Sequence, residues 1–131
     1  MIINEENYLP QYGGARQGSD LDARRLKNTF AYLNCEISDI AMDLTLPEMH
    51  VKLRSYAKHL NDNQDNYFFA AICILAHGDE ESIQCIDGNS ISLDSILRIF
   101  DSKKCPGMNN KPKIYLRNAC RGINISGHIE V

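Results

Sequence analysis

Cys120 stands in RNACRG, residues 117–122, directly after the strand-like run KPKIYLR, and His77 stands directly after the apolar run YFFAAICILA at 67–76. A thiol becomes an effective nucleophile when a base takes its proton or holds the thiolate as an ion pair, and acyl transfer also needs backbone N–H groups aimed at the developing oxyanion. In open α/β sheets, reactive groups collect where strands end and loops begin, at the carboxyl edge. If the two runs are parallel neighbours, an imidazole and a thiol meet at one edge of the sheet. The bland readings are a buried filler cysteine, a common fate for this residue type, and a strand-end histidine bonded to a carbonyl.

The elements that must position this pair can be traced along the chain. MIIN opens as a buried strand and gives way to YLPQYGGARQGSD at 8–20, whose Pro and Gly mark irregular backbone. Ser19 or Asp20 can cap a helix with Leu26, Phe30 and Leu33 on its apolar face. CEISDIAMDL at 35–44 is a strand candidate with imperfect alternation. TLPE at 45–48 is a capping box with Pro47 in the first turn, leading into a helix with Met49, Leu53, Tyr56 and Leu60 on one face. The unalternating run 67–76 predicts a central strand buried on both sides. SIQCIDGNSISL at 82–93 predicts a hairpin about a DG turn, SLDSILRIF a helix, and KIYLR a further strand. Strands alternating with helices predict an α/β sheet covered on both faces.

Composition narrows the function. The 131 residues suffice for one core, and 44% hydrophobic with 24% charged residues is ordinary for a globular domain. A net charge of -3 with scattered basic residues argues against nucleic acid as a partner. No run is long enough to cross a bilayer, and the N-terminus lacks a secretion signal, so a cytoplasmic protein is expected. The five cysteines are odd in number without a C-x-x-C pair, which fits neither a disulfide framework nor a zinc site; no metal and no cofactor are expected.

ARQGSDLDARRL, DLTLPEM, ILAHGDEE, IDGNSISLDSI and CPGMNNKPKIYLRNACRG occur in an order and at a spacing that resembles the large subunit of the caspases, almost end to end. The cysteine motif of that family is Q-A-C-[RQG]-G, with a histidine roughly 50 residues upstream. The resemblance implies a three-layer α/β sandwich with a mostly parallel sheet and a small β-hairpin, residues 1–131 being the large-subunit portion. It implies a cysteine endopeptidase cutting after aspartate in apoptosis or related proteolytic signalling, made as a zymogen and assembled with a small subunit as a dimer of such pairs. Inhibitors or adaptors are further expected partners.

By the same resemblance Cys120 matches the nucleophile and His77 the catalytic histidine, while Gly78 and Cys120 match the backbone N–H donors of the oxyanion hole. Arg16 matches the arginine that holds the substrate aspartate, and Asn118 occupies the place of an assisting glutamine. Gly14 sits where a backbone carbonyl orients the histidine in some members. The chemistry agrees, since a buried carboxylate is best held by arginine's planar fork, and Arg16 on a glycine-rich loop is free to point into a cleft. Arg121 and Gly122 read as structural residues.

Three features depart from the family pattern. Asn118 is one methylene shorter than glutamine, Ala76 replaces the serine before His-Gly, and the small-subunit half, with a second aspartate-binding arginine, is not within residues 1–131. The sheet is expected to end in an unpaired edge where that half would continue. The competing reading is a catalytically weak relative, a decoy or regulatory pseudo-caspase that binds a true caspase.

Overall fold

The computed structural model describes residues 1–119 and 125–130, with residues 119 and 125–128 as backbone only. In chain order its elements are β1 (Ile2–Asn4), α1 (Ser19–Tyr32), β2 (Ala41–Met42), α2 (Leu46–Asp62), β3 (Ala70–Ala76), β4 (Ser82–Gln84), β5 (Ser90–Ser92), α3 (Leu93–Ile99), β6 (Lys113–Ala119) and β7 (Ile125–Glu130). One sheet has the order β2-β1-β3-β6-β7, and β4 pairs with β5 in a separate hairpin. The strands β2, β1, β3 and β6 are mutually parallel, while β7 runs antiparallel to β6.

Burial along β3 explains the three layers. Every residue from Ala70 to Ala76 is buried, so the run needs no polar alternation, but its side chains still point to opposite faces with period two. Ala70, Ile72, Ile74 and Ala76 pack on one side with Met49, Leu53 and Leu60 of α2, Ile96 of α3 and Ile83 of the hairpin. Ala71, Cys73 and Leu75 pack on the other side with Ala23, Leu26 and Phe30 of α1. The expected α/β sandwich with helices on both faces and a small hairpin is therefore present.

Helix α2 starts as its sequence requires. Thr45 N and Oγ1 both donate to Glu48 Oε2 at 2.8 Å, and the Thr45 hydroxyl accepts from Glu48 N, closing a reciprocal cap. Met49, Leu53 and Leu60 are buried, joined by Ala57, while Tyr56 is partly buried.

Several boundaries differ from expectation for local reasons. Gly18, in the left-handed region with φ +84°, caps α1 without a side-chain bond, in place of Ser19 or Asp20. Leu33 falls beyond the helix and is 60% exposed, so the buried face is Ala23, Leu26 and Phe30. Only Ala41–Met42 of the 35–44 segment pairs, because β1 offers it two register positions. β3 begins at Ala70, where β6 begins opposite at Lys113; before it, Pro112 has no N–H to extend the ladder, and Phe68 is 88% exposed. Beyond β6, a strand that the sequence did not suggest, β7, takes the edge expected to be open, with Lys113↔Glu130 to Asn118↔Ile125 in register. No helix among the described residues is long and apolar enough to cross a membrane.

Thr45→Ala removes one side of the cap and should lower unfolding free energy by about 1 kcal/mol. Leu53→Ala opens a cavity in the α2 face and should lower it by about 2 to 5 kcal/mol. Urea titrations measure both, with the slope expected to stay constant.

Candidate active site

His77 follows the last residue of β3, and three separate segments hold it. Its Nε2 lies 2.9 Å from the carbonyl oxygen of Gly14. A carbonyl only accepts, so Nε2 carries the hydrogen and, in the neutral ring, Nδ1 is the basic nitrogen. Gly13 brings the loop close enough for this bond: its backbone has φ +104°, and a Cβ there would lie 3.1 Å from the imidazole. On the other side, the Tyr8 ring packs against the imidazole with centroids 4.5 Å apart. The Tyr8 hydroxyl donates to Gln84 O at 2.5 Å and accepts from His77 N at 3.2 Å. Burial pushes the pKa of this phenol well above its ordinary range, so it keeps its proton and stays a donor.

The backbone after His77 is shaped by the hairpin. Gly78 bridges Ile83 in antiparallel fashion, and the flanking bonds are Gln84 N to His77 O at 2.9 Å and Asp79 N to Ser82 O at 3.2 Å. That pattern leaves the Gly78 N–H outside the ladder. A Cβ on Gly78 would lie 2.3 Å from Ser82 O, so a side chain cannot be accommodated without moving the hairpin. Asp79 fixes the turn, accepting at Oδ1 from Glu81 N at 2.9 Å and from Ser82 N at 2.7 Å. Arg117 of β6 donates to the carbonyls of Asp79 and Glu80, tying this turn to the neighbouring strand.

Arg16 reaches, through Asn4, the row of the sheet that holds Asn118. Asn4, Leu75 and Asn118 are register partners on the adjacent strands β1, β3 and β6. Leu75 packs on the α1 face, as do Ile114 and Leu116, so by alternation Asn118 shares that face. Arg16 is 6% exposed and does not extend freely into solvent: its Nη1 donates to Asn4 Oδ1 at 3.3 Å and to Glu5 O at 3.1 Å. The loop-borne guanidinium, bonded to Asn4 of β1, and the half-buried Asn118 of β6 thus flank the same carboxyl edge, these two strands being roughly 10 Å apart.

The expected nucleophile, Cys120, lies outside the described residues, as do Arg121 and Gly122. The structure does place Ala119, the residue before Cys120, in register with Ala76, the residue before His77. Cys73, Cys85 and Cys105 are buried, and burial raises the pKa of each thiol, to about 11 for Cys73 and about 12 for Cys85. Burial and a raised pKa both disfavour the reactive thiolate in these three. Among the described residues no group of three or more His, Cys, Asp or Glu side chains could hold a metal ion.

A family model for the caspase domain matches residues 1–131. The chain belongs to the caspase family. It is 36% identical to caspase-8 of Mus musculus over 109 residues, which are 83% of this chain and 22% of that protein. It is 31% identical to caspase-3 of Bos taurus over 131 residues, 99% of this chain and 46% of the relative, and 30% identical to human caspase-14 over 108 residues. The chain therefore spans less than half the length of these caspases.

Two residues that sequence reasoning did not single out shape this caspase edge. Tyr8 carried no periodic signal, being one aromatic in a polar loop. Glu5 was hidden in the same way: it is fully buried, accepts from Leu44 N at 2.9 Å through Oε1, and leaves Oε2 without a partner among the described residues. Burial, with the nearby carboxylates of Asp43 and Asp87, raises its pKa to about 7. The folded state then holds a proton that the unfolded state has released between about pH 4.5 and pH 7, so the contribution of Glu5 to stability falls as pH rises through that window. Glu5→Gln should leave stability near pH 5 little changed and raise it by about 2 to 3 kcal/mol above pH 7.5, measured by urea unfolding across pH.

Proposed function

We propose that this chain supplies the Cys–His half of a cysteine endopeptidase that cuts after aspartate, working in apoptosis or related proteolytic signalling. The observation that carries the proposal is the Gly14 carbonyl bonded to His77 Nε2 at the point where β3 and β6 run in parallel register toward Cys120. In this reading, Nδ1 of His77 takes the Cys120 proton as Sγ attacks the scissile carbonyl. The N–H groups of Gly78 and Cys120 hold the oxyanion while the tetrahedral intermediate forms. The imidazolium then protonates the departing amine, leaving a thioester, and His77 draws a proton from the water that hydrolyses it. The constraint on the Gly78 ladder supports the first oxyanion donor, since that N–H is spared by the hairpin.

Arg16 supports the specificity. A buried guanidinium held by Asn4 and the Glu5 carbonyl is pre-positioned, its planar fork matches a carboxylate, and it loses little conformational freedom on binding one. Asn118, across the same row, assists it. The rest of the peptide groove and a second aspartate-binding arginine come from a small subunit, with a second pair completing a dimer. Tyr8 acts through His77, as a positioning residue that keeps the imidazole and the Gly78 turn in one arrangement.

Cys120→Ala should abolish cleavage, and His77→Ala should reduce kcat/KM by several orders of magnitude with folding little changed. The assay is peptide cleavage by the chain together with its small subunit, with circular dichroism as control. Undiminished turnover in Cys120→Ala contradicts the peptidase reading.

Arg16→Ala should cost about 3 to 5 kcal/mol, some hundreds to thousands in kcat/KM for peptides with Asp at P1, and Arg16→Lys should recover little of it. Asn118→Gln should raise kcat/KM about tenfold by restoring the longer amide. Matched peptides ending in Asp, Glu and Asn measure the series. A wild type without preference for Asp contradicts the pocket, and an inert wild type awakened by Asn118→Gln favours the decoy relative.

A further inference from the structure

The outer surface of α2 and α3 carries a groove of about 570 Å³ that shares no residue with the His77 edge. Four Lys or Arg side chains line it, Arg54 and Lys58 from α2, Arg98 from α3 and Lys104 from the following loop, against a single carboxylate, Asp62. This is a local surplus of positive charge on a chain whose net charge is -3. Lys58 pairs with Asp62, and Arg98 Nε with Asp94 Oδ2 at 2.8 Å. Both pairs are solvent-exposed i,i+4 contacts, which contribute little and can exchange for another carboxylate at small cost. Arg54 forms no ion pair among the described residues, and Lys104 has only a longer-range attraction to Asp101, whose Oδ1 already accepts from the Lys103 and Lys104 backbone N–H groups.

Two further features define what could lie there. The floor includes the buried apolar residues Ala57 and Ile99. His50 also lines the groove, and its Nδ1 is buried without a hydrogen-bond partner among the described residues. We propose that this groove docks an acidic peptide segment of a partner protein, its carboxylates on Arg54, Lys104 and the exchangeable Lys58 and Arg98, and an apolar side chain on the Ala57–Ile99 floor. Nucleic acid fits less well. The cations are confined to one crease between a 17-residue and a 7-residue helix, and no Phe, Tyr or Trp lines it to stack a base.

The docking is independent of the peptidase chemistry, and its test reads binding alone. Fluorescence anisotropy follows the full chain against a labelled decapeptide of Asp and Glu around one central Leu, its Asn/Gln counterpart, and a labelled single-stranded oligonucleotide. The acidic peptide should bind, the Asn/Gln peptide should not, and raising salt from about 50 to 200 mM should weaken binding several-fold. Arg54→Glu with Lys104→Glu should weaken it at least tenfold, while the Arg24→Glu variant on α1 should leave it unchanged; circular dichroism establishes that both variants are folded. Absence of binding by the acidic peptide, binding insensitive to the double reversal, or tighter binding of the oligonucleotide would overturn the proposal.

Discussion

The parallel pairing of β3 with β6 is the constraint from which the rest of the His77 edge follows. Seven residues of each strand are in register, from Ala70↔Lys113 to Ala76↔Ala119, and a slip of one residue would turn every side chain to the opposite face. Such a slip would move Ile72 and Ile74 from the α2 core to the α1 side, and Leu75 the other way. The register is thus enforced by two separate cores, both of which must be repacked to change it. The functional edge inherits its alignment from apolar packing several residues away.

Around that alignment the chain builds rigidity from groups that do no chemistry. Gly13 gives the loop its approach, Gly14 lends a carbonyl, Tyr8 spans His77 and the hairpin, and Arg117 ties the Asp79 turn back to β6. Tyr8 and Arg117 satisfy backbone groups that would otherwise be stranded past the strand ends, where the ladder stops supplying partners, while Gly13 and Gly14 hold the imidazole. Tyr8 alone joins the two tasks, packing on the imidazole and satisfying the backbone beside it. Glu5 is the exception, a buried carboxyl among carboxylates that stores a pH-dependent cost at this edge.

Much of this was legible in the sequence because the signals were local. The Thr45–Glu48 box, the unbroken apolar run of β3 and the Asp87-Gly88 hairpin turn each encode their element within a few residues, and each formed. The misses were tertiary. Leu33 fits the helical period, yet the helix ends first; Phe68 extends an apolar run that lacks a partner strand. β7 is a short alternating segment that earns its place only by pairing with β6, and Tyr8 and Glu5 acquire meaning only once β1, the hairpin and the Asp43 turn have come together. Of the residues marked for chemistry, His77, Gly78, Arg16 and Asn118 gather at one edge of the sheet, while Cys120 is outside the described residues.

The proposed dyad requires His77 to act on the Cys120 thiol across that register. Alkylation of the intact protein with iodoacetamide at about pH 6.5, followed residue by residue by mass spectrometry, tests it most directly. Cys120 should react well ahead of the partly exposed Cys35 and of the buried Cys73, Cys85 and Cys105, and it should lose that lead in His77→Ala. A Cys120 that reacts no faster than Cys35 in the parent protein, and at the same rate when His77 is removed, would contradict it.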